Sequence, residues 1–263
     1  MKVSEIAAYL EDRFPSYMKM SWDNVGLLVG LTESTVTRVL VALDITDEVI
    51  DEVSEIGAQL IISHHPLFFS CKSIVDTDGA GGKIIKLISK GISAICMHTN
   101  LDVVESGVNT QLAKVLGLEN VSIMEEEGAD ENGVPYGLGR IGELNTSIDF
   151  PEFLRAVKSG LNANGLRYHN AGKKVRRVAV SGGSDSSDLA GLIARGCDTV
   201  VTADIKYDKF LSAKALGINL IDADHFCTEN VVCPFIAELL LSKYPQLEVS
   251  ISKIHGQTAK FYV

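Results

Sequence analysis

The chain reads as an α/β protein of two similar α/β/α lobes with mostly parallel sheets, and two observations predict this. The first is a phrase that recurs four times, over residues 57–65, 91–98, 196–204 and 217–225. In each, a helix-like stretch ends at a glycine, a short apolar segment follows, and the phrase stops on His or Asp. Glycine suits the left-handed cap that closes a helix, and a short apolar run suits a buried parallel strand. The second is strict alternation of strand-like and helix-like segments, the grammar of βαβ units. Ligands of open α/β sheets gather beyond the carboxyl ends of the strands, so these His and Asp residues stand where a site would be built.

Each element has its own signal. Val3, Ile6, Ala7, Leu10 and Phe14 share one face of a helix over residues 3–14. The segment 22–30 is turn-rich and then apolar; Trp22 with Asp23 and Asn24 could rim a pocket, but the default expectation is a buried indole in a packed turn. A strand follows over 39–43, then a helix over 47–56 opened by Thr46 as its N-cap. Next come a strand at 60–63, a helix at 83–90, a strand at 93–97 and a helix at 108–116. Residues 125–132 turn acidic and polar, which predicts an exposed boundary between lobes 1–127 and 128–263. Beyond it, strands are predicted at 137–144, 177–180, 199–202 and 219–221, with helices at 150–161, 187–195 and 209–216. A last helix over 229–243 and a strand over 248–254 are able to pack back on the first lobe.

Bulk composition excludes several functions. A net charge of −10 and a sequence pI near 5.1 argue against binding nucleic acid through phosphate neutralisation. The local basic run, residues 173–177, reads as a solvated loop and strand edge. Mean hydropathy is +0.17, and no apolar run approaches the roughly 18 residues that span a bilayer. The opening residues carry an acid early and lack the apolar core of a signal peptide, so a cytoplasmic protein is expected. Cys71, Cys96, Cys197, Cys227 and Cys233 are odd in number and show no C-x-x-C spacing, which predicts reduced thiols.

The chemistry-bearing residues fall in three segments. His64-His65-Pro66 closes a strand; the turn into proline lets both imidazoles line one cavity while addressing different ions. His225 and Glu229 stand four apart at a helix start and share one face, which suits one ion or a carboxylate bridging two. In 98–102, Asp102 is expected to leave the end of a central strand as a hard oxygen ligand, with His98 donating a hydrogen bond that orients a ligand. Imidazoles with carboxylates suit Zn, Mn, Fe or Ni, not calcium. Five candidates, His64, His65, Asp102, His225 and Glu229, exceed one tetrahedral site and point to two divalent ions.

Other motifs fall short. Gly82-Lys83 resembles the end of a P-loop, but Thr77 and Ile84 stand where Gly and Ser or Thr are required. Ser63 beside His64 lacks the elbow of a serine hydrolase. Residues 181–187 read as a glycine turn with a serine cap, or as an anion cradle. No base-recognition motif is visible.

The ordered set Trp22-Asp23-Asn24-Val25-Gly26-Leu27, Ser63-His64-His65-Pro66-Leu67, His98-Thr99-Asn100-Leu101-Asp102 and His225-x-x-x-Glu229 resembles the Nif-three-like family, also catalogued as GTP cyclohydrolase type-two homologs. The resemblance spans nearly the whole chain and looks like the short form of the family. It implies a two-metal site in the cleft between the lobes and a ring-shaped homohexamer, and carries the family ligands onto the same five residues. One departure is Asp224, where family members commonly have glycine; an acid there would add negative charge near the ions or turn outward. The expected activity is metal-dependent hydrolysis of a nucleotide or related small molecule, with a metal-stabilised hexameric adaptor as the alternative.

Overall fold

The computed structural model describes residues 1–77, 79–184 and 187–262. In chain order, the first stretch contains α1 (Val3–Arg13), β1 (Gly26–Val29), β2 (Arg38–Ala42), α2 (Asp47–Glu55), β3 (Leu60–Ser63), α3 (Gly79–Ser89) and β4 (Ser93–Cys96). Helix α4 (Thr99–Val103) follows. The second stretch holds α5 (Val108–Val115), β5 (Glu119–Ala129), β6 (Pro135–Ile148), α6 (Phe150–Gly160), β7 (Arg167–His169), β8 (Val175–Ser184), α7 (Leu189–Ala194), β9 (Thr199–Ala203), α8 (Tyr207–Leu216), β10 (Asn219–Asp222) and α9 (His225–Glu229). The chain closes with α10 (Val232–Lys243) and β11 (Glu248–Ile251).

These elements form two compact units. Unit 1 comprises Met1–Leu101 and Cys233–Gly256; unit 2 comprises Asp102–Val232 and Gln257–Val263. The last helix and strand thus return to the first unit, where β11 pairs with β2 in parallel. The acidic segment 125–132, read from the sequence as a boundary, lies inside unit 2 as the tip of the β5–β6 hairpin. Asp130 closes that tip, its carboxylate accepting from the Asn132 and Val134 amides. An edge strand solvated along most of its length has the composition of a linker, which is why the two look alike in sequence.

Unit 1 has a five-stranded sheet, β1-β4-β3-β2-β11, parallel except for antiparallel β1. Leu40, Ala42, Ile61 and Ala94 point from the sheet into a core completed by Val49, Ile50 and Val53 of α2 and Ile84 and Leu87 of α3. The alternate residues Val39, Val41, Leu60, Ile62 and Ile95 are equally buried. Helices α1 and α10 meet through edge contacts of Tyr9 with Tyr244 and of Phe14 with Phe235. A sheet buried on both faces needs near-continuous apolar strands, as these are.

Unit 2 departs from the expected lobe. Its six-stranded sheet, β5-β6-β8-β9-β10-β7, is mixed: only β8-β9-β10 is parallel, and β5, β6 and β7 join antiparallel. The hairpin explains the difference, since a short turn can only connect antiparallel strands. The parallel centre still alternates cleanly. Val178, Val180, Val201 and Ile221 face a core with Phe153 and Val157 of α6, while Ala179, Val200 and Leu220 face Leu189 and Leu192 of α7 and Ala213 of α8.

All four recurrent glycines carry positive φ, between 66° and 82°. After each, the next amide reaches back five residues: Ala58 to Val53, Ile92 to Leu87, Cys197 to Leu192 and Ile218 to Ala213. This closes the helix and launches the following strand.

Candidate metal centre

Strand register brings the candidate ligands of unit 1 to one sheet edge. Ala42 pairs with Ser63 and Ser63 with Cys96, so β2, β3 and β4 end level. Just beyond those ends lie Asp44, His64-His65 and His98. The ring centroids of His64 and His65 are 5.1 Å apart, those of His64 and His98 5.2 Å, and those of His65 and His98 5.6 Å. One nitrogen from each of the three lies within 4.8 Å of the others, a grouping that could hold a metal ion. His98 therefore offers a ring nitrogen alongside the two histidines it was expected only to orient.

The other ring nitrogens are tied down. His64 Nδ1 donates to the Met97 carbonyl at 2.8 Å, His65 Nδ1 to Asp44 Oδ1 at 2.7 Å, and His98 Nδ1 to Asp23 Oδ1 at 2.9 Å. Carbonyl and carboxylate oxygens only accept, so each Nδ1 carries a proton, and in the neutral ring the lone pair is then on Nε2. Asp23 is itself fixed, accepting from the Thr99 amide at 3.0 Å and from the Thr99 hydroxyl. Burial opposes its ionisation, but hydrogen bonds from His98 and Thr99 outweigh it and hold the carboxyl well below the usual range.

Unit 2 repeats the scheme with different atoms. Asp222 pairs with Thr202 and Ser184 with Ala203, so the edge carries Gly183, Asp204 and the start of α9. His225 Nδ1 donates to Asp204 Oδ2 at 2.7 Å, and His225 Nε2 lies 3.1 Å from Glu229 Oε2. Glu229 is buried, at 4% exposure, one helical turn beyond His225. Gly183, with φ of +63°, makes room for both: a Cβ there would overlap Glu229 Oε1 and stand 3.1 Å from His225 Nε2. The Gly183 amide donates to Thr228 Oγ1, and the Gly182 amide to Asn109 Oδ1. Asn109 also donates to the Asp102 backbone carbonyl at 3.0 Å, linking the Asp102 segment to the β8 turn.

Three local expectations are corrected. Asp102 lies within helix α4 and does not leave the end of a central strand, because the chain turns immediately after β4 with the Leu101 amide on the His98 carbonyl. Trp22 is 60% exposed, because it occupies a tight turn closed by the Asp23 amide on the Met20 carbonyl. The helix read over 229–243 begins earlier and is broken between α9 and α10. Asp224 is the N-cap of α9, accepting from the Cys227 amide at 3.4 Å, with φ of +70° and ψ of 141°. That backbone geometry strongly favours glycine. Asp185 and Ser186, part of the glycine-rich turn read as a possible anion cradle, lie outside the described residues.

Sequence reading missed Asp44 outright, took Gly183 only as part of a glycine turn or anion cradle, and assigned no role to Asp204 or Asn109. Asp204 ends one of the four recurrent phrases, a signal that was available; Gly183 and Asn109 act through contacts that only folding creates. Burial, with Asp224 nearby, pushes the Cys227 thiol up to about 12, so it is a protonated apolar filler.

The chain matches the family model described as Duf34/NIF3 (NGG1p interacting factor 3) over residues 1–259. A Clostridium perfringens protein named GTP cyclohydrolase 1 type 2 homolog is 37% identical over 231 residues, covering 87% of each chain. The crystal structure of a Staphylococcus aureus hypothetical protein superposes with a TM-score of 0.92 at 34% identity, covering 100% of this chain and 99% of that one. A Bacillus cereus protein related to NIF3 gives 0.87 at 25% identity, with the same coverage. No helix among the described residues is long and apolar enough to cross a membrane. With its motifs, its two sheets and its His and Glu groups suited to a metal, this chain belongs to the Duf34/NIF3 family.

Proposed function

We propose that the chain is a metal-dependent hydrolase that uses two divalent ions of the Zn, Mn, Fe or Ni type on a nucleotide or related small molecule. His64, His65, Asp102, His225 and Glu229 would hold the ions, and His98 joins them as a further nitrogen donor. The observation that carries this reading is the state of four imidazoles. His64, His65, His98 and His225 each have Nδ1 bound to an oxygen acceptor, leaving Nε2 as the donor atom. Such orienting partners fix the tautomer and raise ligand basicity, and they accompany ligating histidines far more than packed ones. His255 shows the contrast: its Nδ1 accepts from the Leu43 amide, the opposite tautomer, and it belongs to the packing of unit 1.

Divalent ions bound by this set would supply Lewis acidity for hydrolysis near neutral pH. The chain's own part is to present imidazole nitrogens and the buried Glu229 carboxyl, and to hold the ligand segments in place through Asp23, Asp44, Asp204 and Asn109. The name of the Clostridium relatives, GTP cyclohydrolase 1 type 2 homolog, makes GTP the first substrate to try. Ring-shaped homohexamer assembly and a cytoplasmic location complete the proposal.

Elemental analysis of the purified protein tests the ligands: His65→Ala combined with Glu229→Ala should strip the metal, and full retention would remove the assignment. Mn-, Zn- and Fe-loaded protein should turn over GTP or a member of a nucleotide and phosphoester panel, with activity abolished in folded His64→Ala. No turnover by any metal form, with metal removal only lowering Tm or dissociating the assembly, would favour the adaptor role. Light scattering that returns a monomer would remove the hexamer.

A further inference from the structure

Trp22 and Phe69 are large aromatic side chains left 60% and 55% exposed at the edge of the histidine cluster. Their ring centroids are 5.6 Å apart with planes inclined by 60°. Both also touch His98: Trp22 edge-on at 5.9 Å and Phe69 at 6.0 Å. Leaving such side chains in water forgoes about 1.5–3 kcal/mol of burial each. The fold nonetheless holds both residues there, through the chain on both sides of Trp22 and through Phe68 before Phe69.

Before Trp22, the Met20 amide donates to Thr99 Oγ1 at 2.9 Å; after it, Asp23 is bound to His98 and Thr99. Asn24 Nδ2 donates to the Phe68 carbonyl at 2.9 Å, tying the Trp22 turn to the Phe69 segment. Phe68 packs against the core of unit 1, which turns its neighbour Phe69 outward. The hydrogen bonds that orient His98 therefore also seat the aromatic pair.

The geometry points to a stacking subsite for a planar heteroaromatic ring, a nucleobase, formed by Trp22 and Phe69 beside the imidazole cluster. It rests on the metal-site reading for its reactive end, since a base stacked here would place the rest of a nucleotide next to His98. Stacking accepts any π-face, so this subsite discriminates little among bases and recognises a ring without a hydrogen-bond motif. That accounts for a nucleotide site in a chain whose sequence shows no base-recognition motif.

Trp22 is the chain's sole tryptophan, so its fluorescence reports directly on the subsite. Full-length metal-loaded protein is titrated with guanosine, adenosine and cytidine, and with ribose 5-phosphate and tripolyphosphate as probes lacking a base. Saturable quenching by the nucleosides but not by the other two is expected. Phe69→Ala should weaken nucleoside binding by roughly 5- to 100-fold, with metal content and Tm unchanged and partial recovery in Phe69→Tyr. No saturable nucleoside response at millimolar concentration, or unchanged affinity in Phe69→Ala, overturns the proposal. So does a change of assembly size in Phe69→Ala without a change of nucleoside affinity, which would make the pair a contact between copies. The same titration on chelator-treated protein separates the two readings: a protein that binds no metal yet is quenched by nucleosides keeps the subsite and loses the metal centre.

Discussion

The carboxyl edges of the two sheets solve one problem with different materials. In unit 1, level parallel strands deliver three imidazoles, each locked by an oxygen acceptor. In unit 2 the edge offers one imidazole and a buried carboxylate, and its backbone is irregular: Asp204, Asp224 and Gly183 all have positive φ. Nitrogen donors follow from strand ends alone, because a histidine side chain is long enough to reach its neighbours. Bringing Glu229 against His225 takes a short helix, a strained cap and a glycine without a side chain in the way. The teaching is that one edge is made by register and the other by local backbone geometry, so they should fail differently.

The largest effect should come from the buried cation that ties β6 of unit 2 to residues 103–110. Arg140 is 2% exposed and donates to the Gly137, Gly139, Val103 and Val104 carbonyls and to Thr110 Oγ1. Burial lowers its pKa, and no carboxylate is hydrogen-bonded to it among the described residues. Arg140→Met strands several buried carbonyls at about 1–3 kcal/mol each, so urea unfolding should show a loss of roughly 3–5 kcal/mol. A loss under 1 kcal/mol would mean the clamp is dispensable.

Gly183→Ala attacks the carboxylate side directly. Positive φ costs an L-residue about 1–2 kcal/mol, and the added methyl collides with Glu229. A total loss near 2–4 kcal/mol is expected, together with a fall in bound metal in elemental analysis. The corresponding break in unit 1 is gentler. Asp23→Asn keeps the shape but weakens the acceptor for His98 Nδ1 and removes the charge that His98 and Thr99 stabilise; it should lower metal affinity about 10- to 100-fold in chelator competition, with a smaller loss of stability than Gly183→Ala. Equal damage from both substitutions would undo the contrast between the edges.

Acid should also weaken unit 1 through a histidine that is not among the proposed ligands. Burial lowers the pKa of His255, whose Nδ1 lone pair accepts from the Leu43 amide. An unfolded histidine takes up a proton near 6.5 while the folded one resists, so the unfolded state binds more protons below that pH. Stability is therefore lost as pH falls through 6.5 toward the lower folded value, and nothing is gained above it. His255→Gln should flatten that part of a denaturation-versus-pH profile. The smallest effect belongs to Asp224→Gly, which relieves an unfavourable backbone and costs only a few tenths as a cap, for a net gain of about 0.5–1 kcal/mol.

Much of this was legible before folding. The four glycine-capped phrases marked four strand ends correctly, and Thr46 was named as an N-cap that indeed accepts from the Val49 amide. Such signals are local: a left-handed glycine and an apolar run are decided within a few residues. The hairpin over 119–148 was only half legible: a strand was expected at 137–144, within β6, but β5 is an exposed edge strand with no apolar alternation to betray it. Nor was the exposure of Trp22 legible, since it depends on Thr99 holding Asp23 and the Met20 amide from 76 and 79 residues away.

By itself, then, the sequence determined the parallel strands, the residues at their ends and the family those residues spell out. Tertiary structure decided which sheet is mixed, that His98 stands among the nitrogen donors, and that Gly183 shapes the pocket around Glu229. The division has a physical origin. Caps and strands are selected by short-range backbone sterics, whereas tautomers, orienting carboxylates and steric clearance depend on partners that register and packing bring together from distant parts of the chain.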